Sequence, residues 1–352
     1  MNSSSQKIIC THNGTFHCDE ALAVFMLRCL SEWQESKIIR SRDHSVINSA
    51  DIVVDVGGVY DPEKLRFDHH QRGFNETFND STSIKLSSAG LVYKHFGKQI
   101  IKKVNENLSD EEVSMIHYQV YKNFIEEIDA NDNGIEQYDS SKLREAGIDA
   151  THRVTSTIAA RVSGFNPDWN DEEGLKNIDQ AFMQGVEYVG SEFMRKVEHY
   201  SLAWIEARKF VKECYEKRFQ NDEFGRIMVM SKWCPWKGPL YEIENEYSPP
   251  EGSEEDDPKR NKEVKFIVLY DDTSDSWRVT AVPKRGSRFE NRVSHVEAWR
   301  GMSGDKLVET CGLEGAIFVH ASGFTAGIKS FEGAINMAMK SLDTHQNDNK
   351  IM

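Results

Sequence analysis

The sequence lacks long hydrophobic runs, paired cysteines and an excess of basic residues. No segment approaches the ~18 consecutive apolar residues of a membrane-spanning helix, so we expect no membrane partner. The first residues, MNSSSQKIICTHNG, contain neither the apolar stretch of a signal peptide nor an Arg-rich transit pattern, which favours the cytosol or nucleus. The 6 cysteines form no CxxC pair, and we interpret them as thiols of a reducing compartment.

The charge balance argues against a general attraction to polyanions. The chain has 43 basic and 57 acidic residues and a formal net charge of −14, which disfavours nonspecific attraction to nucleic acid or anionic membranes. A local basic groove is still compatible with that total. With 352 residues, 39% of them hydrophobic and 28% charged, the composition is typical of a globular protein long enough for two domains.

Short apolar runs alternate with helical periodicity in the first half of the chain. The strand-like runs are KIICT at 7–11, KIIR at 37–40 and DIVVDV at 51–56. Such short, β-branched runs are typical of the buried strands of a parallel sheet. Helices are predicted from Ala21 to Leu30, over SSAGLVYKHFG with Gly97 as its stop, and from a Ser109–Glu112 capping box onward. We therefore predict an α/β domain over residues 1–168.

A long amphipathic pattern and then a different strand pattern follow. Apolar residues from 178 to 204 recur every three or four positions, which predicts one long helix, or two stacked ones, within a helical connector at 169–222. An unbroken coiled coil is the competing interpretation, although its seam covers few heptads. This helix would also offer a surface for a homodimer. Beyond it we predict a smaller α+β domain at 223–352 with a solvated acidic loop at 244–263.

Histidine and aspartate are concentrated where the predicted elements of the first domain end. The candidates are His12, His17, Asp19, Asp55, Asp68, His69, His70 and Asp129. In an open parallel sheet the ligand crevice lies beyond the carboxyl ends of the strands, so distant residues converge there. Imidazole and carboxylate suit Mn²⁺, and there are too many for one tetrahedral site. We predict two ions, Mn²⁺ or Mg²⁺, about 3.5–4 Å apart and bridged by a carboxylate, as in phosphoester hydrolysis.

Each of these residues also has a simpler interpretation when taken alone. His12 would be an ordinary turn residue, and Asp55 would merely end a strand. The joint occurrence of such residues at four predicted element ends favours the metal site. A zinc knuckle built on Cys10, His12, His17 and Cys18 is disfavoured, because Cys10 lies inside a predicted strand and the spacing matches no zinc finger.

The motifs resemble those of a known family. THNGTFHCDEAL, VVDVGG, FDHHQRGF, SSAGLVY and IDANDNG, followed by CPWKGPL, WRVTAVP, AWRG and FVHASGFTAG, are similar to the melanocyte-proliferating-gene-type proteins. In its first half that family is similar to the DHH phosphoesterases, which include manganese pyrophosphatases and single-strand exonucleases. The resemblance implies a DHH-type parallel-sheet domain and a 3′→5′ exonuclease that acts on single-stranded RNA in the nucleus or mitochondrion. Mitochondrial import receives little support from this start, where Lys7 is the one lysine or arginine before Arg28.

The resemblance also implies a role for each residue of the first motifs. His12 and His17 would bind one metal ion and Asp19 the other. Asp55 would bridge the two ions. Much of the superfamily has a His-x-Asn-Pro-Asp-x-Asp motif, whereas here His17 replaces the middle carboxylate and the spacing is one residue longer. Loss of a negative charge would admit softer metal ions.

The Asp-His-His motif and the later aspartate are assigned roles in the same way. His69 and Asp129 would complete the second metal ion. His70 would face the phosphate, and Asp68 would orient its neighbours from behind, as residues that hydrogen-bond to ligands do.

Substrate binding is expected in the second half of the chain. FVHASGFTAG places His320 after a predicted strand and Gly323 and Gly327 ahead of a predicted helix, where backbone N–H groups would cradle a phosphate. The second domain of the superfamily often binds substrate through a Gly-Gly-Gly-His loop. This segment resembles that loop only loosely, because here the histidine precedes the glycines. The alternative is a Gly-rich turn that fixes the packing of a strand on a helix.

A basic cluster lies close to this segment. Its members are Lys284, Arg285, Arg288, Arg292 and Arg300. Together with the aromatic residues Phe289, Trp299 and Phe324 it would bind a single strand, although a solvated basic face is the alternative. The Trp-rich segment WCPWKGPLYEIE is interpreted as core rather than as part of an inter-domain cleft.

These residues together predict a hydrolase in which a water between two metal ions attacks a terminal phosphodiester of RNA. One alternative is the hydrolysis of a small phosphoanhydride or a dinucleotide, since the same metal centre serves pyrophosphatases. A second is a non-catalytic nucleotide- or RNA-binding regulator whose metal site only senses or stabilises.

Overall fold

The computed structural model describes residues 6–247, 263–287 and 289–351. Arg288 and residues 248–262 of the predicted acidic loop therefore lie outside the described residues. The chain divides into two compact units, Met1–Ala203 and Trp204–Met352. This division falls inside the segment 169–222 that was predicted to be a connector. No described helix is both long and apolar enough to cross a bilayer.

The first unit contains a five-stranded sheet in the order β2-β1-β3-β5-β4. The strands are β1 (Ile8–Thr11), β2 (Lys37–Arg40), β3 (Ile52–Val54), β4 (Tyr60–Asp61) and β5 (Arg66–Phe67). β2, β1, β3 and β5 are mutually parallel, and only the edge strand β4 is antiparallel. The prediction of an α/β protein with a parallel sheet is confirmed. The carboxyl ends of β1, β3 and β5 consequently lie side by side at one edge.

The described part of the first unit also contains nine α-helices. They are α1 (Cys18–Arg28), α2 (His44–Ser49), α3 (Ser88–Val104), α4 (Asp110–Val120), α5 (Glu126–Asp132), α6 (Ser140–Glu145), α7 (Ile158–Ser163), α8 (Glu172–Lys176) and α9 (Ile178–Glu198). A π-helical turn, Tyr121–Ile125, joins α4 to α5. The helix that begins at the predicted Ser109–Glu112 capping box therefore extends to Asp132.

Helix α1 lies at the centre of the first unit and is buried along most of its length. It packs against α3 and α9. Gly190 of α9 faces the ring of Phe25 so closely that a Cβ atom would overlap the ring. The first part of the predicted connector is therefore built into the core of this unit.

The second unit contains a sheet in the order β6-β7-β8-β10-β9. Its strands are β6 (Ile227–Met230), β7 (Phe266–Asp271), β8 (Ser276–Ala281), β9 (Ala316–Val319) and β10 (Thr325–Ile328). Its helices are α10 (Ile205–Glu216), α11 (Lys237–Glu246), α12 (Gly304–Cys311) and α13 (Phe331–Ile351). Only the pair β6–β7 is parallel.

The two faces of this second sheet bury different helices. In β7, Phe266 and Val268 belong to the core that includes Leu307 of α12 and Met337 of α13. Ile267, on the opposite face, packs in a core with Leu240 of α11 and Val211 of α10. Because successive side chains of a strand point to opposite faces of the sheet, β7 contributes to the cores on both faces.

Two features of the second unit differ from the sequence predictions. The glycine-rich segment before the last helix forms β10, so Gly327 is paired in the sheet and does not lie in a phosphate-binding loop. Residues 244–246 of the predicted acidic loop are the end of α11. Of the Trp-rich segment that was interpreted as core, Trp236 is buried as expected, whereas Trp233 is 71% exposed.

Candidate metal centre

Three adjacent strand ends of the first unit place the histidines and aspartates together. His12 follows β1, Asp55 follows β3, and Asp68 begins the Asp-His-His motif directly after β5. Because these strands are parallel neighbours, their last residues share one edge of the sheet. His12 and Asp55, more than forty positions apart in the sequence, are therefore brought into contact.

The backbone at Asp55 is in the left-handed region, with φ at 55°. A non-glycine residue rarely adopts this conformation, which costs of the order of 1 kcal/mol and persists only where the surroundings enforce it. Gly57 and Gly58 follow at φ values of 96° and 65°. The Gly58 N–H donates to Asp68 Oδ2 at 2.6 Å. The turn after β3 is thereby tied to the Asp-His-His motif.

The amino terminus of α1 supplies the next group of ligand atoms. His17 is the N-cap, and its N–H donates to Glu20 Oε1 at 2.8 Å in a capping box. Asp19 accepts from Ser88 Oγ at 2.6 Å. Asp19 and Glu20 lie in the first turn of α1. Acidic side chains are favoured at this position of a helix.

Three overlapping groups of possible metal ligands result. They are His12, His17, Glu20 and Asp55; Asp55, Asp68, His69 and His70; and His17, Asp19 and Asp132, and within each group one ligand atom of every member lies within 4.8 Å of the others. Asp55 belongs to the first two groups, and His17 belongs to the first and third. This is the arrangement expected of a centre with a bridging carboxylate.

The distances around Asp55 show how close the donor atoms lie. Asp55 Oδ2 is 3.3 Å from His12 Nε2, and Asp55 Oδ1 is 3.6 Å from His69 Nδ1. His70 Nδ1 contacts Asp68 Oδ1 at 2.8 Å, so Asp68 orients this imidazole. His69 Nε2 lies 2.9 Å from Asp132 Oδ2.

Several buried donor atoms in this cluster have no hydrogen-bond partner. They are Asp19 Oδ1, Glu20 Oε2, Asp55 Oδ1 and His69 Nδ1. Buried polar atoms are almost always paired, so unpaired atoms concentrated in one cluster are consistent with a bound ion, a ligand or an ordered water. Carboxylate oxygens with imidazole nitrogens are the ligand set that Mn²⁺ and Mg²⁺ accept. The residues present therefore fit divalent cations.

The pKa values of the cluster report an excess of buried negative charge. Burial, reinforced by Asp55 and Asp132, raises the pKa of Asp19 well above its usual value. Burial also raises the pKa of Asp55. For His12, burial alone would lower the pKa, but contacts with Asp55 and Glu20 outweigh it and raise the pKa to about 10. Burial thus opposes ionisation of Asp19 and Asp55, and a bound cation would offset that cost.

The predicted ligand Asp129 does not join these groups. Its Oδ1 accepts from Ser87 N–H at 2.9 Å, Ser87 Oγ at 2.7 Å and Gly90 N–H at 3.1 Å, at the start of α3. Burial raises the pKa of Asp129 to about 7. Asp132, one helical turn further along α5, takes the position that the sequence prediction gave to Asp129.

Two residues of the cluster were missed from the sequence although each carried a signal. Glu20 stands three positions after His17, which is the spacing of a capping box. Asp132 stands three positions after Asp129 in IDANDNG, on the same side of a helix. The choice between two aspartates one turn apart depends on where the helix lies over the sheet.

A cavity of about 540 Å³ opens above the strand ends. Its lining residues are His12, His17, Arg42, Asp55, Val56, Gly57, Gly58, Asp68, His70, Asn131 and Asp132. The exposed His70 lines this space, while His12 and Asp55 form its buried floor. A small anionic group therefore has access to the cluster.

The predicted substrate-binding residues of the second unit divide into buried and exposed members. Arg292 is 3% exposed and forms two hydrogen bonds with Glu244, of 2.7 and 2.6 Å. Its charge is therefore already paired, contrary to the expectation that it binds substrate. Trp299 is likewise buried, whereas Phe289 and Phe324 are exposed.

His320 remains accessible on the loop between β9 and β10. Its Nδ1 contacts Ser322 Oγ at 2.9 Å, and its ring packs edge-on against Phe324. Gly323 has φ at 70°, and a Cβ atom there would lie 2.6 Å from Arg300 Nε. Arg300 donates to the His295 carbonyl oxygen at 2.9 Å. Gly323 therefore lies beside Arg300 and donates its N–H to the His320 carbonyl oxygen, and the role of these residues in substrate binding stays a prediction.

The fold and the cluster define a mixed α/β protein with a candidate metal centre. The chain matches the MYG1 exonuclease family model, described as "Uncharacterised protein family (UPF0160)", over residues 8–342. The chain belongs to this family.

Relatives match along almost the whole chain. The MYG1 protein of Dictyostelium discoideum is 42% identical over 342 residues, which cover 96% of this chain and 97% of that protein. The MYG1 exonuclease of Homo sapiens is 41% identical over 339 residues, which cover 94% of this chain and 85% of the human protein. A solved pGpG-specific phosphodiesterase of Vibrio aligns over 98% of this chain and 99% of its own at 14% identity, but its TM-score of 0.26 is too low to support an argument.

Proposed function

We propose that this protein is a metal-dependent phosphodiesterase that removes nucleotides from the 3′ end of single-stranded RNA, with two Mn²⁺ or Mg²⁺ ions. The observation that carries the proposal is the position of the buried Asp55, which is shared by two groups of mostly buried ligands at the floor of an open cavity. The exonuclease name of several relatives supports the same class of reaction.

The ligands would be divided between the two ions by their contacts. His12, His17 and Glu20 surround one side of Asp55, and His69 and Asp68 lie on its other side. Asp19 and Asp132 are close to His17 and would complete the coordination. When bound, such ions lower the pKa of a water and neutralise charge on the phosphoryl oxygens.

The remaining residues act on the substrate. His70 is held by Asp68 and exposed to the cavity, where its imidazole would donate to a phosphoryl oxygen. In the second unit, the exposed rings of His320 and Phe324 offer stacking surfaces beside Arg300, as single-strand binding requires. Arg288 was predicted to share this role and lies outside the described residues.

The test uses the full chain, stripped of metal with a chelator and then supplied with Mn²⁺. Single-stranded RNA labelled at its 5′ end is expected to shorten in single-nucleotide steps, and blocking its 3′ hydroxyl should stop this. Inorganic pyrophosphate is assayed in parallel. Hydrolysis of pyrophosphate alone would favour the small-molecule alternative, and RNA binding without turnover would favour a regulator.

The variant Asp55→Asn is expected to lower the rate at least about 100-fold, because loss of a shared ligand disturbs both groups. Asp80→Asn, an exposed aspartate of the same unit, is the matched control and should retain the wild-type rate. Full activity of Asp55→Asn in a nuclease-free preparation would contradict the proposal.

A further inference from the structure

An arginine of the cavity wall has no role in the metal cluster. Arg42 lies two residues beyond β2, at the same sheet edge as His12 and Asp55. Among the described residues that line the cavity, it is the one with a permanent positive charge. An arginine beside a cluster of carboxylates and imidazoles would be expected to pair with one of the carboxylates, and Arg42 does not.

The contacts of Arg42 leave its guanidinium available. Within the described part of the chain it has no ion pair, and its one recorded contact is with His12 Nδ1, at 3.2 Å from Nη2. That nitrogen also lies 3.1 Å from the carbonyl oxygen of Asn13, which can only accept a hydrogen bond. If His12 Nδ1 donates to Asn13, it cannot accept from Arg42.

The neighbouring acid does not neutralise Arg42 either. Asp43 is the N-cap of α2, and its Oδ1 accepts from both the N–H and the Oγ of Ser45 at 2.7 Å. The side chain of Arg40, two positions earlier, is 2% exposed and is fully engaged with Asp179 and the carbonyl oxygens of His12 and Gly14. Arg40 thus has a structural role, and Arg42 has unused donors.

We infer that Arg42 binds the non-bridging oxygens of the substrate phosphate in the cavity. The inference rests on the proposed function, since it assigns a further residue to the same site. A guanidinium presents parallel N–H donors that match two phosphate oxygens, whereas a lysine offers only a point charge. The ligand class is therefore a phosphodiester or a nucleoside monophosphate held with its phosphate over Asp55.

The test compares Arg42→Gln and Arg42→Lys with the matched control Arg144→Gln, which removes an exposed arginine of the same unit. Two binding titrations on the full chain give the readout. One measures the number and affinity of Mn²⁺ ions. The other measures the affinity of adenosine 5′-monophosphate for the Mn²⁺-loaded protein.

Arg42→Gln is expected to weaken nucleotide binding at least about tenfold while Mn²⁺ binding stays unchanged. Arg42→Lys should recover part of that loss, and Arg144→Gln should match the wild type. Nucleotide binding by Arg42→Gln within twofold of the wild type would overturn the inference. Loss of Mn²⁺ binding in Arg42→Gln would also overturn it, because Arg42 would then act through His12.

Kinetic data separate this inference from the proposed function. On RNA that the wild type degrades, Arg42→Gln is expected to lower kcat/KM by about 10²-fold or more. An active wild type with an equally active Arg42→Gln would refute only the role of Arg42. A wild type that binds nucleotide but cleaves no phosphodiester would refute the proposed function and leave the binding role intact.

Discussion

At the scale of single residues, the centre around Asp55 concentrates more negative charge than its imidazoles balance. Five carboxylates, those of Asp19, Glu20, Asp55, Asp68 and Asp132, belong to the three ligand groups. Burial raises the pKa of Asp19 and of Asp55 and therefore opposes their ionisation. Divalent cations would remove this penalty, so metal binding should stabilise the folded chain as well as serve the chemistry.

We expect substitutions of the two aspartates of α5 to affect different properties, Mn²⁺ affinity for Asp132 and stability for Asp129. Asp132→Asn is expected to weaken Mn²⁺ binding about 10- to 100-fold, because Asp132 contacts His69 within the cluster. Asp129→Ala is expected to leave Mn²⁺ affinity near the wild-type value and to lower the free energy of unfolding by about 2 kcal/mol, since three donors at the start of α3 lose their acceptor.

Titration of chelator-treated protein with Mn²⁺ and urea unfolding in chelator measure the two effects. Asn133 is unsuitable as a control because it bonds to the Lys85 carbonyl oxygen. The exposed Asp80→Asn variant serves instead and should leave both quantities unchanged. A large loss of Mn²⁺ affinity in Asp129→Ala, with none in Asp132→Asn, would restore the ligand set predicted from the sequence.

At the scale of elements, Gly97 inside α3 marks a close contact rather than a helix end. Gly97 was predicted to stop its helix, but α3 continues to Val104. A Cβ atom at Gly97 would lie 2.6 Å from Tyr93 Cε2 and 2.8 Å from His117 Cδ2. The absence of a side chain therefore lets α4 approach α3, which brings α5 and Asp132 toward the strand ends.

Gly97→Ala is expected to lower the free energy of unfolding despite the higher helix propensity of alanine. Alanine would gain about 1 kcal/mol in an exposed helix, but here overpacking against His117 costs about 1–3 kcal/mol. Urea unfolding at neutral pH measures the difference. The matched control is Gly238→Ala, because Gly238 lies in α11 with open space around it. Gly174 would not serve as a control, since an added Cβ atom there would also be close to its neighbours. A Gly97→Ala variant more stable than the wild type would contradict the packing argument.

The site was more predictable from sequence than the helix ends, for a physical reason. Strand ends such as His12 and Asp55 follow short β-branched runs, and parallel pairing then fixes where they meet. Asp132 and Gly97 depend on how one helix lies against another, which no local pattern contains. The strand at Thr325–Ile328 was missed because glycine weakens a strand pattern, although Gly327 is needed there beside Phe318.

At the scale of the whole molecule, each unit buries one neutral imidazole away from the metal cluster. Burial lowers the pKa of His117, in the first unit, to about 4. Burial, with a smaller effect of the Arg300 charge, lowers the pKa of His295, in the second unit, to about 4. His117 Nε2 contacts the Tyr93 carbonyl oxygen at 3.1 Å, and His295 Nε2 contacts that of Val279 at 2.9 Å. Both units should therefore lose stability in acid.

The direction follows from comparing the folded and unfolded chains. In the unfolded chain an imidazole has a pKa of about 6.5, so each histidine contributes its full stability above that pH and loses it as the pH falls toward 4. At pH 5 the loss is about 2 kcal/mol per histidine.

We expect His117→Gln and His295→Gln each to reduce the difference in unfolding free energy between pH 7 and pH 5 by that amount. Urea unfolding in chelator removes the contribution of bound metal, and the exposed His152→Gln should behave as the wild type. If the pH dependence of both buried-site variants equals that of the wild type, these imidazoles do not govern the acid response, and the carboxylates around Asp55 would have to account for it.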